Sequence, residues 1–248
     1  MLLKRWTGVA TVCLALGMPL GLGASAAMAG EPVVLELFTS QGCSSCPPAD
    51  ALMRDLRSDP NVIALTLPVD YWDYLGWKDT LASPANTQRQ QAYARARGDR
   101  QVYTPQMVVN GVQHAVGSNL SAIKQAARNS RSKIGTSVPV SITGNDASIE
   151  LDVGAAPSGS RAKKGTVWLV LYEDSEQVSI KRGENAGRKV TYYNVVKEMT
   201  PLGMWTGSAV HFALPRTDLK ARGYEKCAVL LQAGNAGPII GAAELKGL

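Results

Sequence analysis

The stretch Gln41-Gly42-Cys43-Ser44-Ser45-Cys46-Pro47-Pro48 constrains this chain more than any other. An apolar run, Val33 to Phe38, precedes it, and a helix-forming run, Ala49 to Leu56, follows. A Cys-x-x-Cys set between a strand and a helix is the arrangement of a thiol–disulfide centre. The amino end of a helix leaves unpaired N–H groups and a partial positive charge, which favours thiolate at the first sulfur. Such placement lowers a cysteine pKa from about 8.5 into a range of roughly 3.5–7.5. Cys43, nearer the helix start, is therefore expected to attack. Two intervening residues let Cys46 return, close a small ring and resolve a mixed disulfide.

The amino-terminal segment decides where those sulfurs work. Lys4 and Arg5 supply a positive start, Val9 to Leu22 an apolar run, and Ala27-Met28-Ala29 a small-residue cleavage site before Gly30. Residues 1–29 read as a signal peptide, which implies a periplasmic or secreted protein and surroundings where disulfides persist. Cys13 follows Val12 and lacks the small residue that precedes a lipidated cysteine. Beyond Gly30 no apolar stretch is long enough to span a bilayer, so no transmembrane segment is expected after cleavage. The formal charge is +6, of which Lys4 and Arg5 account for two. No basic block or basic-aromatic pattern points to nucleic acid. The odd cysteine, Cys227, sits in the apolar run Lys226 to Leu231. It is either an inert core thiol or a third redox partner.

Along the chain, Asn61 to Leu67 is continuously apolar, as suits a strand parallel to the first with the helix as crossover. The densest aromatic patch follows, Val69 to Asp79. Ser83-Pro84 reads as a helix cap with Pro in the first turn, opening a helix over Ala85 to Arg97. Gln106 to Val109 reads as a strand, Asn110-Gly111 as a tight hairpin turn, and Val112 to Val116 as the return. A helix is expected from Asn119 to Asn129. From Val138 the texture becomes period-two alternation: Val138, Val140, Ile142, then Ile149, Leu151, Val153, then Val167, Leu169, Leu171. Further strands are expected over residues 177–181, 189–199, 209–214, 227–233 and 239–245. This divides the chain into an α/β domain over 30–134, with a helical insert at 70–100, and an all-β, sandwich-like domain over 138–248.

The Cys motif, the strand order and Thr104-Pro105 together make the first domain resemble a thioredoxin fold. The resemblance implies a cis Pro105 facing the sulfurs, leaving the backbone of Thr104 free to pair with an extended substrate as an added strand. The helical insert accounts for the long interval between Cys46 and Pro105. More closely, Glu36 to Asp50, Val69 to Asp73, Gly76 to Asp79, Tyr103 to Gln106 and Arg182 to Arg188 are similar to a bacterial secreted, thioredoxin-like family of unknown function. Pro68 stands where members of that family often carry His. Thioredoxin-like oxidoreductases can bury a carboxylate beneath the Cys pair, which makes Glu36 a candidate proton relay. The alternative is a strand-end Glu bonded to Lys or backbone. Tyr71, Trp72 and Trp77 either line a substrate groove or pack the insert against its own domain.

The expected function is an exported thiol–disulfide oxidoreductase acting on thiols and disulfides of other exported proteins. It would need no cofactor beyond the Cys43–Cys46 disulfide, and as a reductase it would need an upstream electron donor. One rival reading is Cu(I) handling by the paired thiolates, with Met107 adding a thioether. Another is a binding module stapled by a permanent Cys43–Cys46 bond. His114 and His211 form no Cys–His or Ser–His–Asp arrangement. Asp70, Asp73 and Asp79 lack metal-ligand spacing. The Gly183 to Gly187 segment reads as a hairpin turn, since no G-x-G-x-x-G pattern is present.

Overall fold

A computed structural model describes residues 32–135 and 137–248. The leader expected over residues 1–29 lies outside them. The amino-terminal half follows the local signals closely. Strand β1 (Val33–Thr39) leads into helix α1 (Pro47–Leu56), and strand β2 (Val62–Pro68) pairs parallel with β1. Pro47 and Pro48 open α1, where a missing N–H costs nothing because the first turn has no carbonyl to bond. Helix α2 (Pro84–Arg97) is capped by Ser83, whose hydroxyl accepts from the Ala85 N–H at 3.2 Å. Strands β3 (Gln106–Val109) and β4 (Gln113–Val116) form the expected hairpin, and helix α3 (Leu120–Ile134) follows, capped by Asn119.

Asn110 and Gly111 turn that hairpin with φ of 47° and 70°, as a type I′ turn requires. Gly111 has a second reason to be glycine. A Cβ there would stand 2.5 Å from the carbonyl oxygen of Gly237. Gly111→Ala is expected to destabilise the chain by about 1–3 kcal/mol, from left-handed strain plus the clash. A thermal melt unchanged from the parent would contradict this.

The second half supplies β5 (Val140–Gly144), β6 (Ser148–Val153), β7 (Gly165–Ser179), β8 (Lys189–Trp205), β9 (Val210–Pro215), α4 (Arg216–Ala221), β10 (Lys226–Ala233) and β11 (Ile239–Lys246). It departs from the expected self-contained all-β sandwich in three ways. Four of its strands extend the first half's sheet, giving one eight-stranded sheet in the order β11-β10-β7-β8-β2-β1-β3-β4. The short helix α4 follows β9 directly. The strand expected over 177–181 is the end of β7, which with β8 makes one long antiparallel hairpin.

The seam between halves is narrow. β2 and β8 pair parallel at Thr66 and Val195. Side chains close the rest: Thr66 Oγ1 donates to the Tyr193 carbonyl at 2.6 Å, and Asn194 Nδ2 donates to the Ala64 carbonyl at 2.8 Å.

Strand alternation then sorts the core into faces. Val34, Phe38, Leu65, Val170, Tyr172 and Leu230 gather with Tyr93 of α2 on one face. Leu35, Leu37 and Ala64 pack with Ala49 and Met53 of α1 on the other. Leu169, Leu171, Val229 and Leu231 meet Ile149, Leu151 and Val153 of the three-stranded sheet β5-β6-β9. That last layer is the sandwich-like part of the second half. No helix among the described residues is long and apolar enough to cross a membrane.

Candidate functional site: a covered disulfide at the start of a helix

Cys43 and Cys46 form a disulfide, with their Cα atoms 5.4 Å apart. Cys46, and not Cys43 as expected, is the cysteine nearer the helix start. Cys43 lies three residues upstream in the preceding turn, while Cys46 caps α1, its carbonyl accepting from the N–H groups of Ala49 and Asp50. The loop before it closes tightly, the Cys43 N–H donating to Ser40 and the Cys46 N–H to Cys43, each at 3.2 Å. Ser44 and Ser45 are exposed, and Ser45 Oγ lies 3.9 Å from Cys43 Sγ. The cysteines themselves are covered: Cys43 is 1% exposed and Cys46 0%.

Three segments do the covering. The first is the aromatic insert. Trp72 lies against Gly42, where a Cβ would stand 3.0 Å from Trp72 Cβ, and its indole N–H donates to Thr104 Oγ1 at 2.8 Å. Trp77 donates its indole N–H to Gln41 Oε1 at 2.8 Å. Tyr71 packs against the α2-side core. Tyr74 stacks on Trp72 and is 77% exposed. Trp72 and Trp77 thus pack and hydrogen-bond the insert around the Cys loop, while Tyr74 presents an aromatic face to solvent.

The second segment carries Thr104 and Pro105, joined by a cis peptide bond. The Pro105 carbonyl accepts from the Gly117 N–H at 2.9 Å. A Cβ on Gly117 would stand 3.1 Å from both Ala49 Cβ and Pro105 Cβ, so Pro105 sits beside the first turn of α1.

The third is the end of the β7–β8 hairpin. Asn185 Nδ2 donates to the carbonyls of Gln41 and Cys43 at 2.9 and 2.8 Å, and the Ser44 N–H donates to Glu184 Oε2 at 3.2 Å.

One helical turn beyond Cys46 lies a buried carboxylate, Asp50. Thr39 Oγ1 donates to its Oδ1 at 2.7 Å, and Oδ2 has no partner among the described residues. Burial pushes the Asp50 pKa up to about 8, with the nearby Asp79 charge adding to the shift. An isolated buried carboxylate keeps its proton because low dielectric penalises the charged form. Burial also raises Asp79, whose carboxylate accepts from the N–H groups of Gln41 and Leu81 at 2.7 and 2.9 Å. Tyr192 of β8 is raised by burial and by both carboxylates.

Glu36 occupies other ground. Residues 35, 37 and 39 of β1 face α1, whereas Glu36 points with Val34 and Phe38 toward α2. Its Oε1 pairs with Arg89 Nε at 2.6 Å and its Oε2 accepts from the Tyr93 hydroxyl. The buried acid on the disulfide's side of the sheet is therefore Asp50, and Glu36 serves an ion pair with Arg rather than a bond to Lys or backbone. The spacing Cys46 to Asp50, four residues along a helix, places both on one helix face but does not show which side of β1 that face covers. Gln41, Asp79 and Asn185 carry no comparable local signal. Their roles arise from contacts 36 to 144 residues away in the chain.

Cys227 is buried in β10, and burial together with Glu244 pushes its thiol up to about 12. Met107 lies in the core with Ala49 and Met53. Among the described residues no group of three or more His, Cys, Asp or Glu side chains is placed to hold a metal ion. His114 contacts Asp99 and Tyr103, and His211 contacts Glu150 and Asp152.

These features define a mixed α/β protein, with a large mixed sheet and a second small one, carrying a disulfide at a strand-to-helix junction. The chain belongs to the family described as protein of unknown function (DUF1223), whose model matches residues 34–232. Among solved structures it is similar to a structural-genomics protein from Agrobacterium tumefaciens, at 38% identity and a TM-score of 0.75, over 87% of this chain and 94% of that one. HBP35 of Porphyromonas gingivalis shares the fold, with a TM-score of 0.59 at 15% identity, over 87% of this chain and 75% of that one. No curated protein sequence matches the chain.

Proposed function

We propose that this chain is an exported thiol–disulfide oxidoreductase of thioredoxin-like type, exchanging its Cys43–Cys46 disulfide with the thiols of other exported proteins. The observation that carries the reading is the disulfide at the amino end of α1, with cis Pro105 beside the same turn. The strand order β2-β1-β3-β4, with α1 crossing between parallel β1 and β2, supports a thioredoxin-like unit in the first half.

In the exchange, a partner thiolate attacks Cys43 Sγ. A partner–Cys43 bond forms as the Cys43–Cys46 bond breaks, and Cys46 leaves with the electron pair. Asp50, protonated at neutral pH, is the acid that supplies the Cys46 sulfur with a proton, and it recovers that proton when Cys46 is deprotonated as the Cys43–Cys46 disulfide re-forms. A second partner thiolate then attacks the partner's own sulfur in the mixed disulfide and releases Cys43. The partner dithiol is oxidised to a disulfide, and the Cys43–Cys46 pair is reduced to two thiols. Run backwards, the same steps reduce a partner disulfide, with Asp50 accepting the Cys46 proton.

Cys46→Ser removes the resolving sulfur and leaves Cys43 free to form adducts that persist. Expressed in the native host, this variant is expected to give discrete mixed disulfides on a non-reducing gel. A Cys43→Ser, Cys46→Ser double variant should give none. Absence of adducts from the single variant would overturn the reading. A permanent staple is the second reading, and the burial of both cysteines favours it. Resistance of the bond to dithiothreitol in the folded protein, with ready opening in denaturant, would establish the staple instead.

A further inference from the structure

The end of the β7–β8 hairpin, residues 180–188, is well ordered by its own bonds. The Ile180 and Arg188 backbones pair at 2.9 Å, the Gly187 N–H donates to Ile180 at 2.8 Å, and the Ala186 N–H donates to Gly183 at 3.1 Å. Its inward side holds the disulfide loop through Asn185, 1% exposed, and through Glu184. Four cations flank its turn in the chain. Lys181, Arg182, Arg188 and Lys189 are all exposed, and none makes an ion pair among the described residues. Beside Lys189 a groove of about 260 Å³ runs between α1 and β8, lined by Pro47, Arg54, Lys189, Thr191 and Tyr193. It leads from Lys189 to the residue next to Cys46.

The geometry points to this hairpin end as a docking surface for an acidic segment of the partner protein, whose engagement draws Asn185 and Glu184 off the disulfide loop. The cations that recognise the partner and the residues that cover Cys43 belong to the same hairpin end. An acidic segment pairs with these exposed cations and is steered toward them in the encounter. Glu184 is the one carboxylate of the turn, and its hold on the Ser44 N–H is exposed to competition from the incoming acid. The exchange step rests on the oxidoreductase reading. Recognition of acidic chains does not.

The test uses the oxidised chain and fluorescent peptides of equal length that contain no cysteine, one Glu-rich, one Gln-rich and one Lys-rich. By anisotropy at low ionic strength the Glu-rich peptide should bind about tenfold more tightly than the Gln-rich one, and added salt should shrink the margin. Combined replacement of Lys181, Arg182, Arg188 and Lys189 by Gln should abolish the preference, and these exposed positions leave folding intact. The Glu-rich peptide should also speed reduction of the disulfide by dithiothreitol. Asn185→Ala should reproduce that acceleration, on the order of tenfold, without peptide.

Equal binding of Glu-rich and Gln-rich peptides would overturn the proposal, as would tight Glu-rich binding that leaves the reduction rate unchanged. Binding to anionic phosphatidylglycerol vesicles with no preference for the Glu-rich peptide would assign the cations to a membrane surface and overturn it equally. The two readings fail separately. Acidic recognition without trapped adducts removes the oxidoreductase, and adducts without acidic preference remove the docking surface.

Discussion

Arg89→Met should destabilise the chain by about 3–5 kcal/mol, because it leaves the Glu36 carboxylate buried with no counter-charge. Glu36 is fully buried and Arg89 nearly so. Beyond the ion pair, Arg89 donates to Tyr93 Oη at 2.6 Å and to Gln232 Oε1 at 3.2 Å, and Gln232 donates in turn to Tyr93 and to the Gly237 carbonyl. The network therefore ties β1, α2 and β10 together, and loss of the guanidinium orphans several polar groups at once. Glu36→Leu combined with Arg89→Met should recover most of the loss, since an apolar pair of similar volume avoids the desolvation penalty. Urea titrations of the parent, the single and the double variant decide the matter. Equal loss in single and double would show that packing of the Arg89 side chain, rather than its charge, carries the effect.

Asp50→Asn should raise stability at neutral and alkaline pH while slowing disulfide exchange. The folded chain holds the Asp50 proton until about pH 8, whereas a free carboxyl has a pKa of 3.8. The folded state therefore binds more protons across that window, and the stability Asp50 contributes is present below the lower value and lost as pH rises toward the upper one. Asn carries no such proton. Its advantage should grow from nothing near pH 4 to on the order of 3–4 kcal/mol by pH 7. Without the acid, reduction of the Cys43–Cys46 bond should slow by about 100-fold, and the parent's rate should fall as Asp50 ionises above about pH 8. A parent and variant with parallel stability curves would refute the raised pKa. A variant with unchanged exchange rates would remove Asp50 from the chemistry and leave it a structural acid.

Much of the first half is legible in local chemistry. Pro47 and Pro48 mark the start of a helix, Ser83-Pro84 caps another, and Asn110-Gly111 folds a hairpin, each through neighbours in the chain. The second half is harder to read for a specific reason. In β7 the apolar alternation breaks at Glu173, Asp174, Ser175 and Glu176, and the local pattern reads as a strand end. Asp174 and Glu176 are paired there with distant cations. Arg57 reaches Asp174 at 2.7 Å, Lys226 also pairs with Asp174, and Lys197 pairs with Glu176 at 2.6 Å.

The site divides in the same way. Cys43, Cys46 and Pro105 are visible as residue types in a motif. Choosing between Glu36 and Asp50 requires knowing which face of β1 the helix covers, and strand parity cannot say which face that is. Asn185 binds Cys43 across 142 positions, a contact no local pattern encodes.

The narrow seam between β2 and β8 has a practical consequence. Cutting the chain after α3, to obtain the Cys-bearing half alone, would strip β2 of its neighbour and leave bare backbone donors and acceptors ready to pair with other copies. The same cut would remove Asn185, Glu184 and Tyr192 at a stroke. Such a fragment would clump, and whatever redox behaviour survived would belong to a molecule without its lid.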